Sequence, residues 1–157
     1  MTTMLRPKVI DPAGGLRLQS TPGRDLVFKV TGDETGGAFD YAIVEVEARN
    51  GPPLHVHHHR DEAIHVLQGR FKLRIGEEES ILERGGFALM PAGIPHAFLN
   101  LTDEPGEIVL VYAPGDAHRF FAELGPLTRN GTTDKAEIAA CFERHDMALL
   151  GPSLSVD

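Results

Sequence analysis

Apolar residues recur at every second position in short runs along most of this chain. Leu26, Phe28 and Val30 share one parity, and Val44 and Val46 alternate with Glu45 and Glu47. Phe71, Leu73 and Ile75 alternate with Lys72 and Arg74 before Gly76-Glu77. A period of two puts alternate side chains on opposite faces of a strand, so each run reads as a half-buried strand. Glu62 to Gln68, stopped by Gly69, is a further apolar segment, and Ser80 to Leu82, Phe87 to Met90, His96 to Leu101 and Ile108 to Tyr112 complete the series. Glycine, proline, asparagine and aspartate punctuate the runs. Many short strands without intervening helices, from about Leu16 to Ala113, predict a β-barrel or sandwich rather than an α/β sheet.

The periodicity changes after Pro114. Asp116 to Leu124 has helical spacing, with Phe120, Phe121 and Leu124 as an apolar stripe before Gly125-Pro126. Asp134 followed three residues later by Glu137 predicts a capped second helix, along which Ile138, Cys141, Phe142 and His145 recur at helical intervals. The segment is too short for a core of its own, so these helices are expected to pack onto the barrel across one mouth. The expectation is one domain over residues 1–157, with a β-barrel at about 16–113 and a C-terminal helical extension at 114–150.

Composition narrows the function classes. A length of 157 residues and a hydrophobic fraction of 41% suit one globular domain. A formal net charge of −8, with the acidic residues scattered, argues against nucleic acid as a partner. No apolar run approaches the ~20 residues needed to cross a bilayer, and Met1 to Ile10 lacks the apolar core of a signal peptide. The lone Cys141 has no internal disulfide partner, which fits a cytoplasmic location; it reads as a buried, inert thiol.

Chemistry concentrates in the histidines. Six of the eight (His55, His57, His58, His59, His65 and His96) lie within 42 residues. On an extended strand His55 and His57 leave the same face, so two ring nitrogens can converge on one ion. Glu62 has the opposite parity, and the polar run His58 to Asp61 permits the bend that would bring it round. Past the bend Glu62, Ile64 and Val66 share a face, and a carboxylate among inward aliphatics is costly unless paired or metal-bound. That cost makes Glu62 a candidate ligand, with His59 as substitute. His96 follows Pro91-Ala92-Gly93-Ile94-Pro95, a restricted turn that fixes its entry into the next strand. Three imidazoles and one carboxylate suit one divalent transition metal per chain (Fe, Mn, Co, Ni, Cu or Zn), and four ligands leave positions open for water, substrate or dioxygen. His58 and His59 are expected to face solvent or support the ligands. His65 is expected on the opposite face, and His118 and His145 as satisfied surface histidines. Ile64, Phe71, Phe87 and Phe98 are candidate inward residues, either lining a pocket or simply filling the core.

The same residues resemble a known family. Gly85 to Asn100 reads Gly-x5-Pro-x-Gly-x2-His-x3-Asn, the second cupin motif, and His55-x-His57-x4-Glu62-x6-Gly69 resembles the first. One departure is the glycine expected six residues before the first histidine, since here Gly51 lies four before it. The resemblance implies an all-β cupin jelly roll (a double-stranded β-helix) carrying two short C-terminal helices, with His55, His57, Glu62 and His96 as metal ligands. Residues Pro52 to Gly69 and the stretch from Ala113 to Leu124 further resemble bacterial single-domain cupins of the quercetin dioxygenase-like group, which implies a homodimer. The leading expectation is a metal-dependent dioxygenase acting on a small aromatic or enolic substrate, with Glu62 doubling as a catalytic base. A non-redox isomerase or epimerase and a non-catalytic small-molecule-binding cupin are the alternatives, because one scaffold hosts many chemistries.

Overall fold

The alternating runs become strands in two facing antiparallel sheets. The computed structural model describes residues 4–129 and 134–157. β1 (Leu16–Thr21), β2 (Arg24–Val30), β3 (Asp40–Val46), β10 (Gly106–Ala113), β5 (Asp61–Gln68) and β8 (Phe87–Met90) form one sheet in that spatial order. The other runs β11 (Met147–Ser153), β4 (Pro53–His57), β9 (His96–Asn100), β6 (Arg70–Ile75) and β7 (Glu78–Glu83). Successive strands repeatedly cross between the sheets, as in a jelly roll. Residues of one parity meet between the sheets, where Phe28, Val44, Ile64, Phe71 and Ile108 are buried.

The C-terminal part departs from expectation in three ways. Helix α1 spans Ala117–Arg129 and runs straight through Gly125-Pro126, where a stop was expected. A Cβ on Gly125 would lie 2.4 Å from the Gln19 carbonyl oxygen, so glycine lets α1 sit directly on β1. Thr128 Oγ1 donates to Ser20 O at 3.0 Å and holds the last turn there, offsetting the hydrogen bond that Pro126 removes. Second, the extension is not helical to residue 150, because after α2 (Lys135–Arg144) the chain turns back as β11 and pairs with β4. Third, His118 is buried rather than on the surface. Its Nδ1 lies 3.0 Å from Asp40 Oδ1 and its Nε2 lies 3.3 Å from Asp33 Oδ2. The buried Asp40 carboxylate also accepts from the first-turn amide of Ala117 at 2.7 Å, and so caps α1 from a neighbouring strand. The capping role expected of Asp134 is present, since it accepts from the Ala136 and Glu137 amides.

Candidate metal centre

Three strands deliver the four candidate ligands. His55 and His57 leave β4 on one side, with ring centroids 5.1 Å apart. His55 pairs in register with His96 on β9, and their rings are 4.5 Å apart. The turn before His96 is tied to β4 by the Gly93 amide, which donates to the His57 carbonyl at 2.7 Å, and Gly93 itself has φ +85°. Residues 58–60 form the expected bend. They carry the chain from one sheet into the other, which is how Glu62 regains the inward side despite its opposite parity. Each of the four residues is buried, and their ligand atoms lie within 4.8 Å of one another. Gly51, displaced from its expected motif position, still serves close packing, because a Cβ there would lie 1.9 Å from Phe98 O on β9.

The hydrogen-bond pattern shows how the donors are prepared. His55 Nδ1 lies 2.7 Å from Pro53 O and His96 Nδ1 lies 3.1 Å from Ile94 O, so each ring donates from Nδ1 to a carbonyl and turns Nε2 inward. Glu62 Oε2 receives His96 Nε2 at 2.8 Å and His57 Nε2 at 3.1 Å. Both His96 nitrogens face oxygen acceptors, an arrangement that favours its protonated form. Burial alone would lower its pKa, but the Glu62 carboxylate outweighs burial and raises it. Burial alone would raise Glu62, yet His96 and His57 hold it well below the usual carboxylate range. His55 has no such partner; burial, with His96 and His57 nearby, lowers it to about 3. Burial also lowers His57, partly offset by Glu62.

This set fits a metal ion. Three imidazoles and a carboxylate converge, and two rings already carry the Nδ1 bond to a backbone carbonyl that aims Nε2. His57 differs. Arg60, buried and paired with Asp116, donates to His57 Nδ1 at 3.1 Å, which places the His57 proton on Nε2. Ligation through that nitrogen requires the Nε2 proton to leave. The buried His55, His57, Glu62 and His96 group could therefore bind a metal ion.

The site opens on a cavity of about 220 Å³. His55, His57 and Glu62 line it together with Phe98, Tyr112, Phe120, Phe142 and Met147. Of the expected inward residues only Phe98 reaches the cavity. Ile64 and Phe71 are core residues, while Phe87 is 63% exposed because its parity on β8 faces outward. His58 and His59 are exposed, as expected, and His65 on the opposite face is exposed rather than packed. Cys141 is buried and burial pushes its thiol up to about 11; His145 and Glu123 approach it, but Glu123 is engaged by Arg144 and His145. The motif residue Asn100 is a structural pin, donating to the Val46, Glu47 and Glu104 carbonyls. Sequence reasoning missed the cavity wall, namely Tyr112, Arg24 and the faces of α1, α2 and β11. Tyr112 had signalled only as one more alternating strand residue.

The Cupin domain family profile matches residues 42–112, which hold all four candidate ligands. The fold is that of a cupin jelly roll. The chain is 36% identical over 67 residues to quercetin 2,3-dioxygenase from Bacillus subtilis (strain 168), a match covering 43% of this chain and 20% of that protein. Among solved structures, an RmlC-like cupin from Shewanella frigidimarina NCIMB 400 superposes with a TM-score of 0.62 at 10% identity, covering 73% of this chain and 96% of that one. A sugar phosphate isomerase of the cupin superfamily from Silicibacter pomeroyi DSS-3 superposes with a TM-score of 0.52 at 28% identity, covering 60% and 61%.

Proposed function

We propose that this cupin is a metal-dependent dioxygenase for a small aromatic or enolic molecule. The observation that carries the reading is the four-residue group of His55, His57, Glu62 and His96, of which His55, His57 and Glu62 stand at the wall of an otherwise largely apolar, aromatic-lined cavity. The proposed ligands are His55, His57, Glu62 and His96, holding one divalent transition metal. When bound, such an ion supplies Lewis acidity and open positions for a substrate oxygen and for dioxygen. The protein supplies the remainder. Phe98, Phe120 and Phe142 exclude water and present flat surfaces to an aromatic ring. Burial and the Glu62 charge hold the Tyr112 phenol well above its ordinary pKa, so it faces the cavity as a neutral hydrogen-bond donor. Glu62 is a weak base while His96 and His57 face it, which favours its ligand role over proton abstraction.

A non-redox isomerase is the second reading, supported by the relative named as a sugar phosphate isomerase. The apolar lining suits a polyhydroxylated sugar poorly, because its hydroxyls would lose water without finding partners. Metal analysis of chelator-free protein followed by oxygen uptake with aromatic enols separates the two. A bound Fe, Mn, Co, Ni or Cu with substrate-dependent oxygen consumption supports the dioxygenase. Turnover without oxygen on the zinc form supports the isomerase. Phe87 and Leu89 on edge strand β8 are 63% and 55% exposed, and we propose that this face supports a homodimer, to be tested by light scattering.

A further inference from the structure

Among the described residues, Arg24 is the one strongly charged side chain on the cavity wall away from the histidines. It opens β2 and is 7% exposed. Its register partner is Val46 on β3, whereas Glu62 pairs through Tyr112 with Asp40, at the other end of the same strand. Arg24 and Glu62 therefore occupy opposite corners of one inward sheet face, yet both line the same cavity. The Tyr112 phenol lines the same cavity and senses both charges.

The guanidinium has only neutral partners among the described residues. Its Nε donates to Ser20 Oγ at 3.3 Å, Nη1 to Asn50 Oδ1 at 3.4 Å, and Nη2 to Thr21 Oγ1. Burial is strong enough to lower its pKa to about 10, with no carboxylate offsetting it. A guanidinium carries five N–H donors, so two remain free, one on each terminal nitrogen. A buried cation without a counter-charge is costly, and three long or neutral hydrogen bonds offset little of that. A staple between β1 and the Asn50 loop would need no charge. An anion delivered by a ligand would remove the cost, and two parallel N–H groups match the two oxygens of a carboxylate.

We propose that the ligand of this cavity is an aromatic monocarboxylate, its carboxylate held by Arg24 and its ring lying along Phe98, Phe120 and Phe121 toward the histidines. The assignment rests on reading the cavity as the substrate site, but not on any reaction there. A carboxylate is preferred to a phosphate ester because one guanidinium neutralises one negative charge, and the other groups beside it are Ser20, Thr21 and Thr128 hydroxyls.

The test uses 3-phenylpropanoate, its neutral amide and phenyl phosphate as probes in calorimetry on the full chain, both chelator-treated and zinc-loaded. The acid should bind at least tenfold more tightly than the amide in both forms. Arg24→Gln should cut that preference to about twofold while leaving the amide affinity unchanged, a charge-selective effect that a purely structural staple would not produce. Arg24→Lys keeps the charge and should retain part of the preference, which guards against misfolding of the glutamine variant. Equal binding of acid and amide to the unmodified protein, or no binding of either, overturns the proposal. So does an acid preference that survives Arg24→Gln, or tighter binding of phenyl phosphate. An acid preference that appears only with zinc, and is lost in His96→Ala, would move the carboxylate to the metal and also overturn it. Failure of oxygen uptake alongside Arg24-dependent binding would remove the dioxygenase reading and leave this one standing.

Discussion

The two ends of this jelly roll were built by different means. At the histidine end, β4, β5 and β9 place four candidate ligands through local features: a two-residue spacing, a bend and a proline-bounded turn. At the other end α1, α2 and β11 close the cavity through contacts between segments far apart in sequence, such as the Phe120 and Phe142 rings at 4.9 Å. The first region is organised around polar atoms, since it gathers three imidazoles and a carboxylate in the buried interior. The second is a small apolar core of Phe120, Leu124, Cys141, Phe142 and Met147 that needs no ligand. Chemistry sits where local spacing is strict, and enclosure is left to packing. The two regions meet at His55 and Phe142, whose rings are 6.4 Å apart.

Substitutions should separate them. The largest effect is expected from Phe142→Ala, which removes a buried ring and should cost about 3–5 kcal/mol in denaturant unfolding, while each folded chain still binds metal stoichiometrically. Loss of metal in that variant would show that the extension organises the ligands as well as the cavity. His96→Ala should do the reverse: metal affinity falls at least a hundredfold, and the metal-dependent part of the stability, about 2.7 kcal/mol for that factor under saturating conditions, disappears. Retained stoichiometric metal in His96→Ala would remove His96 from the ligand set. Glu62→Gln sharpens the same end, since weakened metal binding marks a ligand, whereas retained metal with lost turnover marks a base.

A smaller effect follows from pH in the chelated protein. His55 has a folded pKa of about 3, far below the ordinary imidazole value near ~6.5, so its unfolded form takes up a proton that the folded form refuses. That contribution is intact above the ordinary imidazole pKa and is lost as pH falls toward 3, by on the order of 1 kcal/mol per pH unit. His57 acts in the same direction, and Glu62 adds its own loss at lower pH because its folded pKa is depressed. His96, with a raised pKa, acts oppositely, and its contribution fades as pH rises through that value. Urea midpoints between pH 7 and pH 4 should fall in the chelated protein, and a flat profile would deny that His55 is buried neutral. Least of all, Asp134→Ala should cost about 1 kcal/mol by uncapping α2, with no change in metal binding.

The amino-acid sequence alone carried the strands of residues 16–113, the facing parity of His55 and His57, the need for a bend before Glu62, and the turn that delivers His96. These are properties of nearest neighbours along the chain: side-chain parity, turn chemistry and the cost of an inward carboxylate. Only the tertiary structure decided the rest. Met147 to Ser153 is an apolar run interrupted by Gly-Pro, and it becomes a strand because β4 offers it a partner. Gly125-Pro126 continues α1 because β1 lies close enough to need a glycine and to hold Thr128. His118 is buried because Asp40 and Asp33, distant in sequence, accept its ring. Arg24 and Glu62 share a cavity because three intervening strand pairings curl one sheet around it. Local spacing can place a ligand atom, but the walls around it depend on which distant surfaces exclude water together.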